Sequence, residues 1–370
     1  MAEPPKVVWP VIVGIGFLFL VAIWLYTQSG LAQLLLGLAL TLAILVILAK
    51  CGIFRTPGED PKKLDPAWQA LALFVLVLAM LFTLFCIRLT GILIVWVCVM
   101  ALFVIFLATL GVFIMGRPMG LFINSRSRMS LATLQTILWT VVLLSAFFTV
   151  AAAFIQAGEG ESAFNIALDQ KLWVLMGISV TTLAGTPLIL DGKSRRRVSA
   201  DALREYVTLN VDRIRKRVTA QKGRFPGVPV DTDREFLDEV LDTTKTPDAR
   251  LRSILSVELD GPVYKAEDPA KASVLDLFRG DEGVDWDRVD LGKVQMFFFT
   301  VIGALAYMTV LAGWIVTLTP SAIPALVDAA AAGSAVVQFP PLSEGFIAIL
   351  GISHAGFLGN SAANKMPGQG

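Results

Sequence analysis

The sequence predicts an all-α polytopic membrane protein with about eight transmembrane helices in four hairpins. It also predicts a duplicated parallel two-helix unit and a small, mainly helical cytoplasmic insert. Three observations carry this. Apolar residues make up 55% of the 370-residue chain and charged residues only 16%, against about 25% in a soluble domain, and mean hydropathy is +0.70. The apolar residues gather in runs near the ~20 residues that cross a bilayer as a helix. One polar stretch of domain size, from Asp191 to Asp290, separates two of those runs.

The eight runs are Val8–Tyr26, Leu31–Ala49, Trp68–Ile87, Ile92–Met115, Leu131–Ile155, Leu172–Leu190, Leu291–Leu318 and Gly345–Asn360. The first is long for a signal-peptide core, lacks a small-x-small cleavage site and is followed at once by another run, so it reads as a span. Positive loops stay in the cytoplasm. With the N-terminus inside, the inner segments receive Lys6, Lys50, Arg55, Lys62, Lys63, Arg117, Arg126, Arg128 and the basic "DGKSRRR" after Leu190. The outer segments receive only Arg88 and Lys171. Both termini are therefore expected in the cytoplasm, with the chain in a bacterial inner membrane.

The expected organisation is a four-helix membrane region (1–116), a first hairpin (117–191), the insert (192–287), a second hairpin (288–360) and a flexible tail (361–370). Within the insert, Leu203, Tyr206, Val207, Val211, Ile214 and Val218 fall on one helical face, with Ser199 or Asp201 as cap. "REFLDEVLD", "DARLRSILSVEL" and "DPAKASVLDLFRG" read as further short helices, and no β-alternation is strong enough for a sheet. The acidic run "RGDEGVDWDRVD" lacks the ligand spacing of an EF-hand and reads as a solvated linker, with Asp290 capping the next span.

Two helix entrances match without gaps. Arg128–Val150 and Arg288–Val310 share eight of 23 positions: Arg128/Arg288, Leu131/Leu291, Gln135/Gln295, Thr140/Thr300, Val141/Val301, Ala146/Ala306, Thr149/Thr309 and Val150/Val310. At 100° per residue, Arg128, Leu131, Gln135, Ala146 and Thr149 share an arc of roughly 60°. The return spans match as well, "LMGISVTTLAG" against "ILGISHAGFLG", which aligns Gly177 and Gly185 with Gly351 and Gly359. Small residues every four positions let helices approach closely in lipid. Both copies start on the same side, so they are parallel repeats, expected to clasp one another through matched faces. Gln135, Gln295, Thr149, Thr309, Gly177, Gly185, Gly351 and Gly359 are the candidate repeat-interface or pore-lining residues.

The paired pattern of Leu-x-x-x-Gln followed by Gly-Ile-Ser resembles an uncharacterised family of bacterial multi-pass membrane proteins. The resemblance covers the two hairpins, implies architecture, and supplies no activity or catalytic residue. Members of that family follow Gly-Ile-Ser with a Gly-Thr pair. This chain departs from that pattern, with Val180-Thr181-Thr182 in one copy and His354-Ala355-Gly356 in the other.

Chemistry-bearing residues are sparse. The three cysteines have neither disulfide nor metal spacing, and there is one histidine. No metal, cofactor or catalytic residue is expected, and a net charge of +1 offers nothing to nucleic acid. His354 is the one titratable group at depth. It is a candidate pH-sensitive residue, although a hydrogen bond to a neighbouring helix is the commoner role for a buried polar side chain. Lys293 lies in the first turn of its span and can snorkel. Arg128, Arg288, Arg195, Arg196 and Arg197 are expected to contact lipid headgroups. The function expected is a non-enzymatic integral membrane scaffold or anchor, presenting the insert to a cytoplasmic protein partner. The alternative is a passive oligomeric channel gated by the insert. The lipid bilayer is the other expected partner, and a homo-oligomer fits either reading.

Overall fold

The computed structural model describes residues 66–220, 225, 228, 231–242, 244, 248–256, 259–266, 268–333, 337–363 and 365. The expected spans Val8–Tyr26 and Leu31–Ala49 lie outside the described residues. In chain order the helices are α1 (Pro66–Phe85), α2 (Ile87–Thr90), α3 (Ile92–Met115), α4 (Leu131–Ala157), α5 (Gln170–Ser194), α6 (Ala200–Leu209), α7 (Val211–Ala220), α8 (Asp233–Leu241), α9 (Asp248–Leu255), α10 (Leu291–Thr317), α11 (Ile323–Ala331) and α12 (Glu344–Ala362). Strands β1 (Leu259–Asp260) and β2 (Val263–Tyr264) pair antiparallel. The described chain is mostly helical, and α3, α4, α5, α10 and α12 are long and apolar enough to cross a membrane.

The chain divides into two compact units, and α4, α5 and α10 each run through both. The first holds 66–121, Ile137–Trp173 and Gly303–Ser343. There α1 packs along α3, joined by the tight "RLTG" turn. Gly91 takes φ +85°, which a side chain would resist. The polar tip of this hairpin is held reciprocally, Arg88 donating to the Gln156 carbonyl and the Gln156 amide to the Leu84 carbonyl (2.8 Å). Trp96 donates its indole N–H to Ser145 Oγ (3.0 Å), which satisfies a buried donor of α3 on α4. The two longer connections pair with each other: Ala167 and Phe339 exchange backbone bonds with the opposite loop, and Gln338 donates to Asp169 (2.9 Å).

The second unit holds Phe122–Thr136, Val174–Ile302 and Glu344–Gly370. Its insert has a separate core of Leu203, Tyr206, Val207, Ile214, Phe236, Val240, Leu251 and Ile254, residues that recur at helical spacing and so bury one face of each of α6 to α9. Ser199 is the cap, accepting from the Ala202 N–H (3.2 Å). The helical run expected as continuous breaks at Asn210, whose side chain turns back onto the Tyr206 carbonyl (2.9 Å) and competes with the backbone ladder. Two further expectations differ. "DPAKASVLDLFRG" forms two 3-10 turns, Pro269–Lys271 and Val274–Phe278, because Asp268 and Ser273 each cap a turn too short to propagate. The β1–β2 hairpin was not expected, since two-residue strands leave no alternation to read.

Replacing Phe236, fully buried in the insert core, by Ala is expected to cost about 3–5 kcal/mol there. Hydrogen exchange on the full-length protein in detergent should show faster exchange in α6 to α9 and unchanged protection in α4 and α10. Unchanged exchange in the insert would contradict this packing.

Candidate functional site

Two helix entrances are built alike. A 3-10 turn ending Leu-Phe (Pro118–Phe122 and Val274–Phe278) precedes each. An antiparallel bridge follows, Ile123 with Met129 and Arg279 with Val289. The cap residue then donates its own N–H back to the phenylalanine carbonyl, Ser130 to Phe122 (2.7 Å) and Asp290 to Phe278 (2.8 Å). Ser130 Oγ accepts from Thr133 N–H (3.3 Å), and Asp290 Oδ1 from Gly292 and Lys293 (2.9 and 3.2 Å). Each helix therefore starts with a side-chain cap on first-turn donors, and the Asp290 carboxylate also meets the positive end of the α10 dipole.

Before α4, Asn124 accepts from the N–H groups of Arg126 and Arg128, which curls the loop and places Ser127 at φ +59°. The curl turns Arg128 inward. It is 4% exposed and donates to the Gly280 carbonyl, with Asp276 at 3.8 Å and Asp281 at 3.7 Å. Lys193, at the end of α5, is buried against Glu282 and the Ala363 carbonyl. Lys293, in the first turn of α10, donates to Asp281 and to the Arg279 carbonyl (2.8 Å each). Lys365, just past α12, donates to Asp285 (2.6 Å), and its backbone N–H to Glu282 (3.0 Å). Asn360 donates to Asp290 (2.7 Å).

Basic side chains from the ends of four membrane-length helices thus converge on one acidic loop, 276–290. The solvated-linker expectation is corrected: Glu282 is 3% exposed, and Asp276 and Asp290 are buried. Arg128 contacts this loop rather than lipid, Lys293 is buried rather than snorkelling, and Lys365 is bound within the segment expected to be a flexible tail. Burying a carboxylate costs several kcal/mol unless it is paired and hydrogen-bonded, and each of these carboxylates is. Burial raises the Asp281 carboxyl, but Lys293, Arg128 and Arg126 outweigh it and hold the group below its ordinary range. Burial lowers Lys365, but Asp285, Asp290 and Glu282 outweigh it and hold the ammonium above its ordinary value.

Aromatic rings line the loop on the insert side. Tyr264 stacks on Trp286 (4.5 Å), and the guanidinium groups of Arg128, Arg213 and Arg217 lie 5.6–5.8 Å from the Tyr264 ring. Arg213 also sits 4.1 Å over Trp286. Such cation–π contacts attach α7 and β2 to the same loop.

A second polar cluster lies between α4, α5 and α12. His354, 2% exposed, accepts at Nε2 from the Gln135 amide and donates from Nδ1 to Thr182 Oγ1 (2.6 Å). Thr182 in turn donates to the Ile178 carbonyl (3.0 Å), so the chain of donors closes on a neutral imidazole. Gln135 is 1% exposed and bonded, which places it in a helix junction and not on an open path.

The matched faces meet unlike surroundings, which corrects the expectation that they clasp one another. Leu131, Gln135, Ala146, Thr149 and Val150 are buried, whereas Leu291, Gln295, Ala306, Thr309 and Val310 are exposed. The span of α4 is 61% buried and that of α10 only 33%, so the same stripe faces protein in one helix and the outside in the other. Gln295 lines an open groove of about 510 Å³ with Ser353, Asn360 and Lys365. Of the glycines, Gly185 lies against Leu358 and Gly351 against Ile178, drawing α5 and α12 together, while Gly177 and Gly359 face open space. Arg288, Arg195, Arg196 and Arg197 are exposed. Sequence reading missed the roles of Thr182, Lys193 and Asp276; Asp281 and Glu282 stood out in "RGDEGVDWDRVD" as acidic residues able to hold a cation, but the run read as a solvated linker.

Replacing Glu282 by Gln should leave the Lys193 ammonium buried without a counter-charge and lower stability by about 3–5 kcal/mol, whereas the Lys193→Met, Glu282→Met pair should recover most of it. Thermal unfolding in detergent reads both. Stability should also fall at both pH extremes. Asp281's contribution is complete above its ordinary value of 3.8 and is lost as pH drops through the lower folded value. Lys365's is complete below its ordinary value of 10.5 and is lost as pH rises through the higher folded value. A midpoint indifferent to pH across both windows would contradict the ion-pair network. Comparison with known proteins finds no protein family, curated protein or solved structure that matches this chain.

Proposed function

We propose that the protein is a non-enzymatic membrane scaffold, whose cytoplasmic insert is a docking domain held in a set orientation on its membrane helices. The observation that supports this reading is the acidic loop. It belongs to the insert, and it binds the ends of α4, α5, α10 and α12 through ion pairs, with Arg128, Lys193 and Lys293 buried and Lys365 exposed at the rim. A linker that only tethered a domain would not repay the desolvation of so many charges. Rigid presentation does account for it, because a fixed surface loses less entropy when a partner binds. The outward faces of α6 to α8 carry charges of both signs, such as Arg204 with Asp201 and Arg215 with Asp212 and Asp233, as a solvated docking face would. The parallel hairpins supply the platform, and their like-built entrances support an internal duplication.

The test leaves the acidic loop in place. A chain in which a short Gly-Ser bridge replaces residues 200–256 keeps every residue of the ion-pair network. It should remain folded in the membrane yet lose the proteins that chemical cross-linking recovers with the full chain. The same cross-linked set with and without the insert would refute the docking role.

A further inference from the structure

Where α5 ends, the chain lines an open pocket of about 290 Å³ together with residues of the insert. One wall is the exit segment itself, Arg195, Arg196 and Arg197. The other comes from α9, with Arg252 beside Leu255 and Ser256. Asp260 and Gly261, from the β1–β2 turn, close the floor. Gly261 holds φ +61°, and a side chain there would collide with the Ser194 carbonyl, so the turn is pressed against the exit segment and the pocket keeps its shape.

Among the described residues, the lining carries four guanidinium groups against one carboxylate. Arg195 is engaged by Asp191 (2.8 Å), and Arg196 is engaged as well. Arg197 and Arg252 make no ion pair among the described residues. Arg252 is half-buried and lies in the last turn of its helix, where the dipole favours the cation but supplies no counter-ion. Two uncommitted guanidiniums from separate elements, facing one cavity, make a fork suited to the oxygens of a phosphate group. The volume equals that of about ten waters, enough for a phosphate ester and a short stub beyond it.

We propose that this pocket binds a phosphate-bearing anion, with Arg197 and Arg252 as its principal ligands. It lies where an apolar helix of membrane length emerges, the level at which lipid phosphates sit. An anionic phospholipid headgroup is therefore the source that the position favours, and free phosphate shares the chemistry. The proposal stands apart from the docking role, since a scaffold could lack the site and a binding site could exist without a protein partner.

The experiment uses the full chain in detergent and three probes: dioctanoyl phosphatidylglycerol, dioctanoyl phosphatidylcholine and inorganic phosphate. Calorimetric titration should show saturable binding of phosphatidylglycerol, which Arg252→Ala and, separately, Arg197→Ala each weaken by about tenfold or more. Phosphatidylcholine should bind more weakly, because its ammonium meets the arginines. Tighter binding of the lipid than of inorganic phosphate identifies a headgroup, and equal binding identifies a free phosphate ligand. Either result supports the site, provided the arginine variants weaken it. Arg252→Lys keeps the charge without the fork and should fall in between, which guards against a variant that merely misfolds. No binding of either anion, or binding that ignores both arginine changes, would overturn the proposal.

Discussion

The structure depends on a buried meeting of opposite charges. Arg128, Lys193, Lys293 and Lys365 come from the ends of four different helices, and all reach one acidic loop. Helices of this apolarity gain nothing from the hydrophobic effect by packing against one another in lipid, because lipid tails are as apolar as leucine. Something else has to set which ends lie together. An ion-pair node meets that need, because removing a partner of Arg128, Lys193 or Lys293 leaves a buried charge uncompensated.

The node also explains why the insert is not a loose appendage. Its last segment supplies the carboxylates, its β2 strand supplies Tyr264, and α7 supplies Arg213 and Arg217 against the same rings. The insert core and the ion-pair node are therefore continuous through α7, Tyr264 and Trp286. Deeper along the helices, Gln135, His354 and Thr182 form a neutral relay that links α4, α5 and α12 without any charge.

Much of the fold was legible because its signals are local. The span Ile92–Met115 coincides with α3, since hydropathy alone delimits an uncharged run that glycine closes at both ends. The caps Ser199, Ser130 and Asp290 follow from residue type beside an apolar run. The node was not legible, because it joins residues far apart in sequence, and charge density alone does not distinguish a solvated run from a buried one. His354 showed itself as unusual, but its partners Gln135 and Thr182 lie on other helices, and no spacing rule reaches them. The likeness of the two helix entrances was visible in sequence. That one stripe would be enclosed and the other exposed was not, because enclosure depends on neighbours and identical stripes can have different ones. The paired 3-10 turns ending Leu-Phe were there to be read at Leu121-Phe122 and Leu277-Phe278, but short apolar runs do not announce their period.

The most direct test of the node is a double-mutant cycle on Asp281 and Lys293, using Asp281→Asn, Lys293→Met and the pair, with unfolding free energies measured in detergent. Strong non-additivity is expected, with a coupling energy of about 1.5 kcal/mol or more. Effects that add to within about 0.3 kcal/mol would mean that the two charges do not depend on each other, and would contradict a node that holds the helix ends together.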